Sequence, residues 1–276
     1  MKAKILCKDR REYLFISGCN FSTPVFVLLQ IKFMKKIFLS ILFMAATGVM
    51  LMAQKTFNDP NAEKRNVSGF HGIEVSTGIT LYLSEGSTEE VAVSADKTEY
   101  RDRIVTKVEN GILKIHYQTK TGSINKIRES KNLKAYVSYK TLDKLHVNTG
   151  AEVEINGVLK SSSLELKANT GGLVKGEVNI SDFKISQNTG SKITLSGKTD
   201  KLEIGGSTGS KFMGENMSTG SCDINVSTGA QVWIKAEKEL QVKASTGAVV
   251  KYKGSASIKE IKTNTGGSVT KIKSES

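Results

Sequence analysis

Phe183-Lys184-Ile185-Ser186-Gln187-Asn188-Thr189-Gly190-Ser191-Lys192-Ile193 decides the fold, because its pattern keeps returning. The central step recurs as Asn148-Thr149-Gly150, Asn169-Thr170-Gly171, Ser207-Thr208-Gly209, Ser227-Thr228-Gly229, Ser245-Thr246-Gly247 and Asn264-Thr265-Gly266. Successive glycines are 21, 19, 19, 20, 18 and 19 residues apart. Self-similarity near 20 residues is the signature of a solenoid. Five residues before each glycine stand Leu145, Leu166, Ile185, Ile204, Ile224, Val242 and Ile261. Seven before come Leu164, Phe183, Leu202, Cys222 and Leu240. Three after come Val153, Val174, Ile193, Phe212, Val232, Val250 and Val269.

Apolar residues two apart, with polar ones between, are strand alternation with one face buried. A helix would place them three and four apart and carry fewer β-branched residues. Each unit reads as strand, Thr-Gly corner, strand, then a second polar turn such as Gly197-Lys198-Thr199-Asp200. Two or three short strands in ~19 residues form one coil of a parallel β-helix, equivalent residues stacking ~4.8 Å apart. Thr219-Gly220 is a decoy, because Asp223 stands three residues on, where true corners carry an apolar side chain. A one-residue slip would expose the whole core face, so the register is tightly held. Burying each large aliphatic residue is worth roughly 1.5–3 kcal/mol.

Outside the repeat the chain divides further. Residues 34–53, MKKIFLSILFMAATGVMLMA, read as a secretory signal with Ala53 at the cleavage point; the alternative is a retained membrane anchor. Residues 1–33 fit no targeting pattern, which makes Met34 the expected first residue. Ile16-Ser17-Gly18-Cys19 resembles a lipoprotein box, but the run before it is too short and too charged for a signal core. Residues 54–69 are polar, contain Pro60, and read as a flexible leader. Residues 70–276 read as a single β-helix domain: longer irregular coils and a hairpin over 70–140, regular coils over 141–276. The first coil is centred on Ser76-Thr77-Gly78, Asn110-Gly111 marks the hairpin, and Thr119 to Asn132 is a basic polar loop. The irregular part is expected to cap one end of the stack. At the other, charged residues such as Lys271 and Lys273 are expected to blunt the open edge.

Charge and cysteine content restrict the function. Without residues 1–53 the chain keeps 32 basic and 25 acidic residues, a net charge of +7. The basic residues are scattered among acids, which argues against a nucleic-acid groove and leaves anionic glycans or lipid headgroups as possible partners. Membrane association is expected only through a retained anchor or a lipid. Cys222 is then the sole cysteine, lies in an apolar column, and is expected to be buried and structural.

Phe70-His71-Gly72-Ile73-Glu74-Val75, the Asn110-Gly111 hairpin, the Val137-Ser138-Tyr139 strand leading to Leu142 and Leu145, and the serial Thr-Gly corners resemble the head GIN domain family. These are putative auto-transporter adhesins, exported by gut-type Gram-negative bacteria. The resemblance implies a right-handed parallel β-helix. An auto-transporter carries its own outer-membrane barrel, and nothing after Gly266 supplies its strands, so delivery is expected to fall to another system.

Chemistry is sparse. Glycosidases and lyases on this scaffold need clustered carboxylates; Glu152 and Glu154 are adjacent outward positions, but the next coil sets Leu173 and Lys175 there. Another outward column, Lys144, Glu165, Lys184, Glu203 and Asp223, reads as a salt-bridged ladder. His71, His116 and His146 share no ligand spacing, so no metal and no cofactor is expected. One outward patch stands out: Met213, Trp233 and Lys251 on consecutive coils, beside Lys211 and Gln231. Trp233 is the only tryptophan, and exposed aromatics beside polar groups suit contact with sugar or protein. The expectation is an exported binding or adhesin-like protein without catalytic residues, in the periplasm, on the outer-membrane surface or secreted. Its rivals are a carbohydrate-active enzyme and a purely structural envelope protein.

Overall fold

The computed structural model describes residues 59–119 and 130–273. The signal sequence, the Met34 start, Cys19 and most of the Thr119–Asn132 loop lie outside the described residues. The fold is a β-solenoid of about 7 turns with ~19-residue coils. In chain order its elements are β1 (Glu63–Arg65), β2 (Gly72–Val75), β3 (Thr80–Glu85), β4 (Glu90–Ser94), α1 (Thr98–Arg101), β5 (Ile104–Glu109), β6 (Ile112–Tyr117), β7 (Lys134–Tyr139) and β8 (Lys144–Val147). The regular coils supply β9 (Glu152–Ala168), β10 (Leu173–Gln187), β11 (Lys192–Gly206), β12 (Lys211–Val226), β13 (Gln231–Ala244), β14 (Val249–Lys253), β15 (Ser257–Thr263) and β16 (Ser268–Lys271).

The aliphatic columns stack as the repeat requires. Ile185 pairs with Ile204 and Ile204 with Ile224 in parallel register. Ile193 is fully buried between coils, and Leu145, Leu166 and Val242 are equally enclosed. Cys222 is buried in line with Leu202 and Leu240, and burial pushes its thiol above the ordinary cysteine range. Ile261 departs from its column: it is 41% exposed and Ile258 44%, because no later coil among the described residues covers β15. Charged neighbours do occupy this end, with Lys259 paired to Glu239 at 2.7 Å and Lys262 to Glu260.

Each corner is a four-residue turn with two consecutive left-handed residues. Thr189 and Gly190 have φ of 47° and 68°, and the Ser191 N–H donates to the Asn188 carbonyl oxygen at 3.2 Å. Positive φ at both central residues defines the tight turn that a two-residue reversal needs. Corners also bond to one another: the Gly190 N–H donates to Thr208 O at 3.0 Å, and that of Gly209 to Thr228 O at 3.0 Å. Thr219-Gly220 forms no corner; Thr219 is fully buried inside β12.

The second turn differs from the expected interruption. β10 to β12 run unbroken for 15 or 16 residues, and the ladder continues around the bend. Gly197 permits this, with φ of +102° at the point where β11 bends over Val178. A bend whose hydrogen bonds all go to neighbouring coils leaves no backbone group to satisfy elsewhere.

The irregular part is ordered differently in space than in sequence. β2 lies between β6 and β8, and β3 between β7 and β9, all parallel. The coil made by β6 and β7 therefore sits outside the earlier coil made by β2 and β3. Antiparallel strands finish this end: β5 on β6, β4 on β7, and β1 on β4. β1 lies within the segment read as a flexible leader. Its composition is polar because it is an edge strand, held by its ladder to β4, and just before it Asp59 accepts a hydrogen bond from the Tyr136 hydroxyl at 2.8 Å.

Candidate ligand-binding face

The residues two and four places after each corner glycine point outward from the first strand of every coil. Parallel register aligns Lys192 with Lys211, Lys211 with Gln231, and Gln231 with Val249. Beside them Thr194, Met213, Trp233 and Lys251 form a second column. The fold thus brings Met213, Trp233, Lys251, Lys211 and Gln231 onto one face of three adjacent coils. That face continues toward the N-terminal end through Leu173, Lys175, Glu152 and Glu154 to Tyr82, which stacks on Tyr136 with centroids 5.2 Å apart. Leu173 is 38% exposed, the one large aliphatic side chain left open in mid-stack among the described residues.

A groove of about 560 Å³ crosses this face, walled by Lys175, Thr194, Ser196, Met213, Glu215 and Asn216 and floored in part by Gly176. It lies where successive ladders lose register, between Lys175 and Glu177, Thr194 and Ser196, and Gly214 and Ser218. Bulges of this kind bend a strand and re-aim its side chains. Gly176 keeps the floor close, since a Cβ there would lie 2.4 Å from that of Ile155. One-dimensional periodicity did not place these bulges; the uneven spacing of the corner glycines, 21 then 19 and 20 then 18 residues, was the available hint.

Trp233 is more enclosed than an outward position implies. It is half-buried, with the Lys211 and Lys251 ammonium groups 5.4 and 5.8 Å from its ring centroid. Attraction between a cation and the negative ring face holds such an arrangement. No carboxylate among the described residues pairs with Lys192, Lys211 or Lys251.

The other candidate chemistry is arranged otherwise. Lys175 reaches Glu152 at 3.1 Å and Glu154 at 2.8 Å, so one ammonium holds both carboxylates. Hydrogen bonds to Glu154 and then Glu152 hold that ammonium above the ordinary lysine range. In the mixed-charge column Lys184 meets Glu203 at 3.3 Å, but Glu165 turns along its own strand to Lys167 at 2.7 Å. The ladder is therefore continuous in register and only partly closed as ion pairs. His71 Nδ1 lies 2.7 Å from Asp143, while half-buried His146 is pushed below the usual histidine range by burial and then by Lys167.

The described residues thus form a parallel solenoid with a grooved, polar-aromatic face. Residues 69–256 match the family model described as putative auto-transporter adhesin, head GIN domain, and the chain belongs to that family. Its fold is similar to that of a putative adhesin from Parabacteroides merdae, with a TM-score of 0.61 and 17% identity over 77% of this chain and 95% of that one. A putative adhesin from Bacteroides fragilis gives 0.61 and 15% over 76% and 95%. A putative lipid binding protein from Parabacteroides distasonis gives 0.58 and 19% over 78% and 98%. At these identities the likeness is one of fold. No curated protein matches the sequence.

Proposed function

We propose that the protein is an exported, adhesin-like binding protein that does no chemistry, and that the face carrying Met213, Trp233, Lys251, Lys211 and Gln231 holds a glycan or protein partner at the cell envelope. The observation that carries this reading is the groove: it crosses several coils where the ladders bulge, and Met213, one of its lining residues, pairs in register with Trp233 on the next rung. Membership of an adhesin-named family supports it. A rigid stack suits such a role, because outward side chains sit at fixed intervals of ~4.8 Å and pay little ordering entropy on contact.

The test is a screen of the purified protein against bacterial and host polysaccharides and envelope proteins. Binding is expected, and it is expected to be lost in Trp233→Ala while circular dichroism and thermal unfolding stay those of the parent. Binding unaltered by Trp233→Ala would move the site elsewhere. Release of reducing or unsaturated sugar, abolished by Glu152→Gln or Glu154→Gln, would replace the binding role with an enzymatic one.

A further inference from the structure

We infer that the ligand of this face is an acidic polysaccharide whose sugars carry carboxylates; the inference rests on the binding role proposed above. The tryptophan supplies the first reason. A neutral sugar recognised by stacking needs an uncovered ring, whereas Trp233 has Lys211 at 5.4 Å and Lys251 at 5.8 Å from its centroid. What the patch offers outward is two ammonium groups braced on an aromatic ring, which is a seat for an anion.

The second reason is the absence of internal neutralisation on this part of the face. Lys175, in the same outward column, is satisfied by Glu152 and Glu154. Lys192, Lys211 and Lys251 meet no carboxylate among the described residues. Lys192 and Lys211 are directly opposed on adjacent strands, where like charges repel. An external carboxylate between them removes that repulsion and gains charge-assisted hydrogen bonds.

The groove narrows the class of anion. Thr194, Ser196 and Asn216 offer hydroxyl and amide partners, and the carboxylates of Glu177 and Glu215 accept hydrogen bonds from sugar hydroxyls. Those same two carboxylates repel any anion within the groove itself, so the ligand's charge is left to the lysines and its hydroxyls to the groove. A chain of uronic acids carries a carboxylate and free hydroxyls on each sugar, and lying along the stack it sets carboxylates against Lys192 and Lys211 on adjacent rungs and against Lys251 two rungs further on.

The probes are polygalacturonate, its fully methyl-esterified form, dextran, and vesicles containing phosphatidylglycerol, each titrated calorimetrically into the full-length protein. Polygalacturonate is expected to bind, and to weaken about tenfold or more as salt rises from roughly 50 to roughly 500 mM. Lys211→Gln with Lys251→Gln is expected to weaken it about tenfold, while the same charge change at Lys144 and Lys243, which precede their corner glycines and lie outside the two columns of this face, leaves it within about twofold. Equal binding of the esterified polymer or of dextran would overturn the inference and leave the binding role standing. Preference for the vesicles would overturn it in favour of a lipid surface. If no polysaccharide, vesicle or envelope protein binds, both the inference and the role beneath it fall.

Discussion

Two glycines in neighbouring places of one coil separate two reasons for needing glycine. At Gly190 φ is +68°, and a Cβ there would have nothing within 4 Å. The sole penalty of Gly190→Ala is the left-handed backbone, about 1–2 kcal/mol, offset by about 0.4–1 kcal/mol from a stiffer unfolded chain. The net cost is about 1 kcal/mol. At Gly197 φ is +102°, and a Cβ would lie 2.1 Å from the Val178 carbonyl oxygen and 3.0 Å from its nitrogen. That carbonyl is backbone inside β10 and cannot rotate away without loosening the ladder. Overpacking adds about 1–3 kcal/mol to the conformational penalty, so Gly197→Ala should cost about 2–4 kcal/mol. In urea, followed by far-ultraviolet circular dichroism, a slope of about 2–3 kcal/mol/M converts these into midpoint shifts of about 0.4 M and about 1 M or more. Equal shifts, or a larger one at Gly190, would refute the assignment of the second bend to close contact between coils.

Three more expectations follow from the stack and its ion pairs. Ile204→Ala opens a cavity between Ile185 and Ile224 and should cost about 2–5 kcal/mol in the same urea experiment; a loss below about 1 kcal/mol would mean the columns do not carry the fold. Glu109, hydrogen-bonded to Lys107 on its own strand and to Lys114 across the β5–β6 hairpin, has its carboxyl lowered to about 2. A lowered folded value makes this contribution fully present above the unfolded range near 4.5 and lost as pH falls toward 2, so an NMR titration of its side chain should have its midpoint near 2 and not near 4.5. Cys222 should resist a thiol reagent at neutral pH in the native protein and react promptly in denaturant; rapid native labelling would place it outside the apolar column.

The regular coils were readable because one periodic signal carries three demands at once: a glycine at each corner, an aliphatic pair before it, and an aliphatic residue after it. Ile185, Ile204 and Ile224 could be placed on top of one another from spacing alone. A further regularity is that Ala151, Gly172, Ser191, Ser210, Ala230 and Ala248, each following a corner glycine of the regular coils, are small and buried, whereas Ile79 fills the same place after Gly78. The order of the first coils was not readable. That β6 and β7 fold back outside β2 and β3 depends on which strands find each other, and no local pattern encodes it. β1 escaped for a related reason, since an edge strand of three residues has too few side chains to show alternation.

The binding face was half legible, and the division has a physical cause. Register fixed which side chains share a column, so Met213, Trp233 and Lys251 could be grouped without coordinates. How a long side chain lies across the next rung is not set by period, and the placement of Lys211 and Lys251 over Trp233 had to be seen. The same distinction says where selection for function can act. Inward positions and corners are dictated by packing and by φ, while outward positions on the first strand of a coil are free to take any residue that does not break the ladder. Where folding leaves such freedom, opposed lysines without an acid are a choice the fold did not require. Their repulsion is a small standing cost at Lys192 and Lys211, and a partner that brings negative charge removes it.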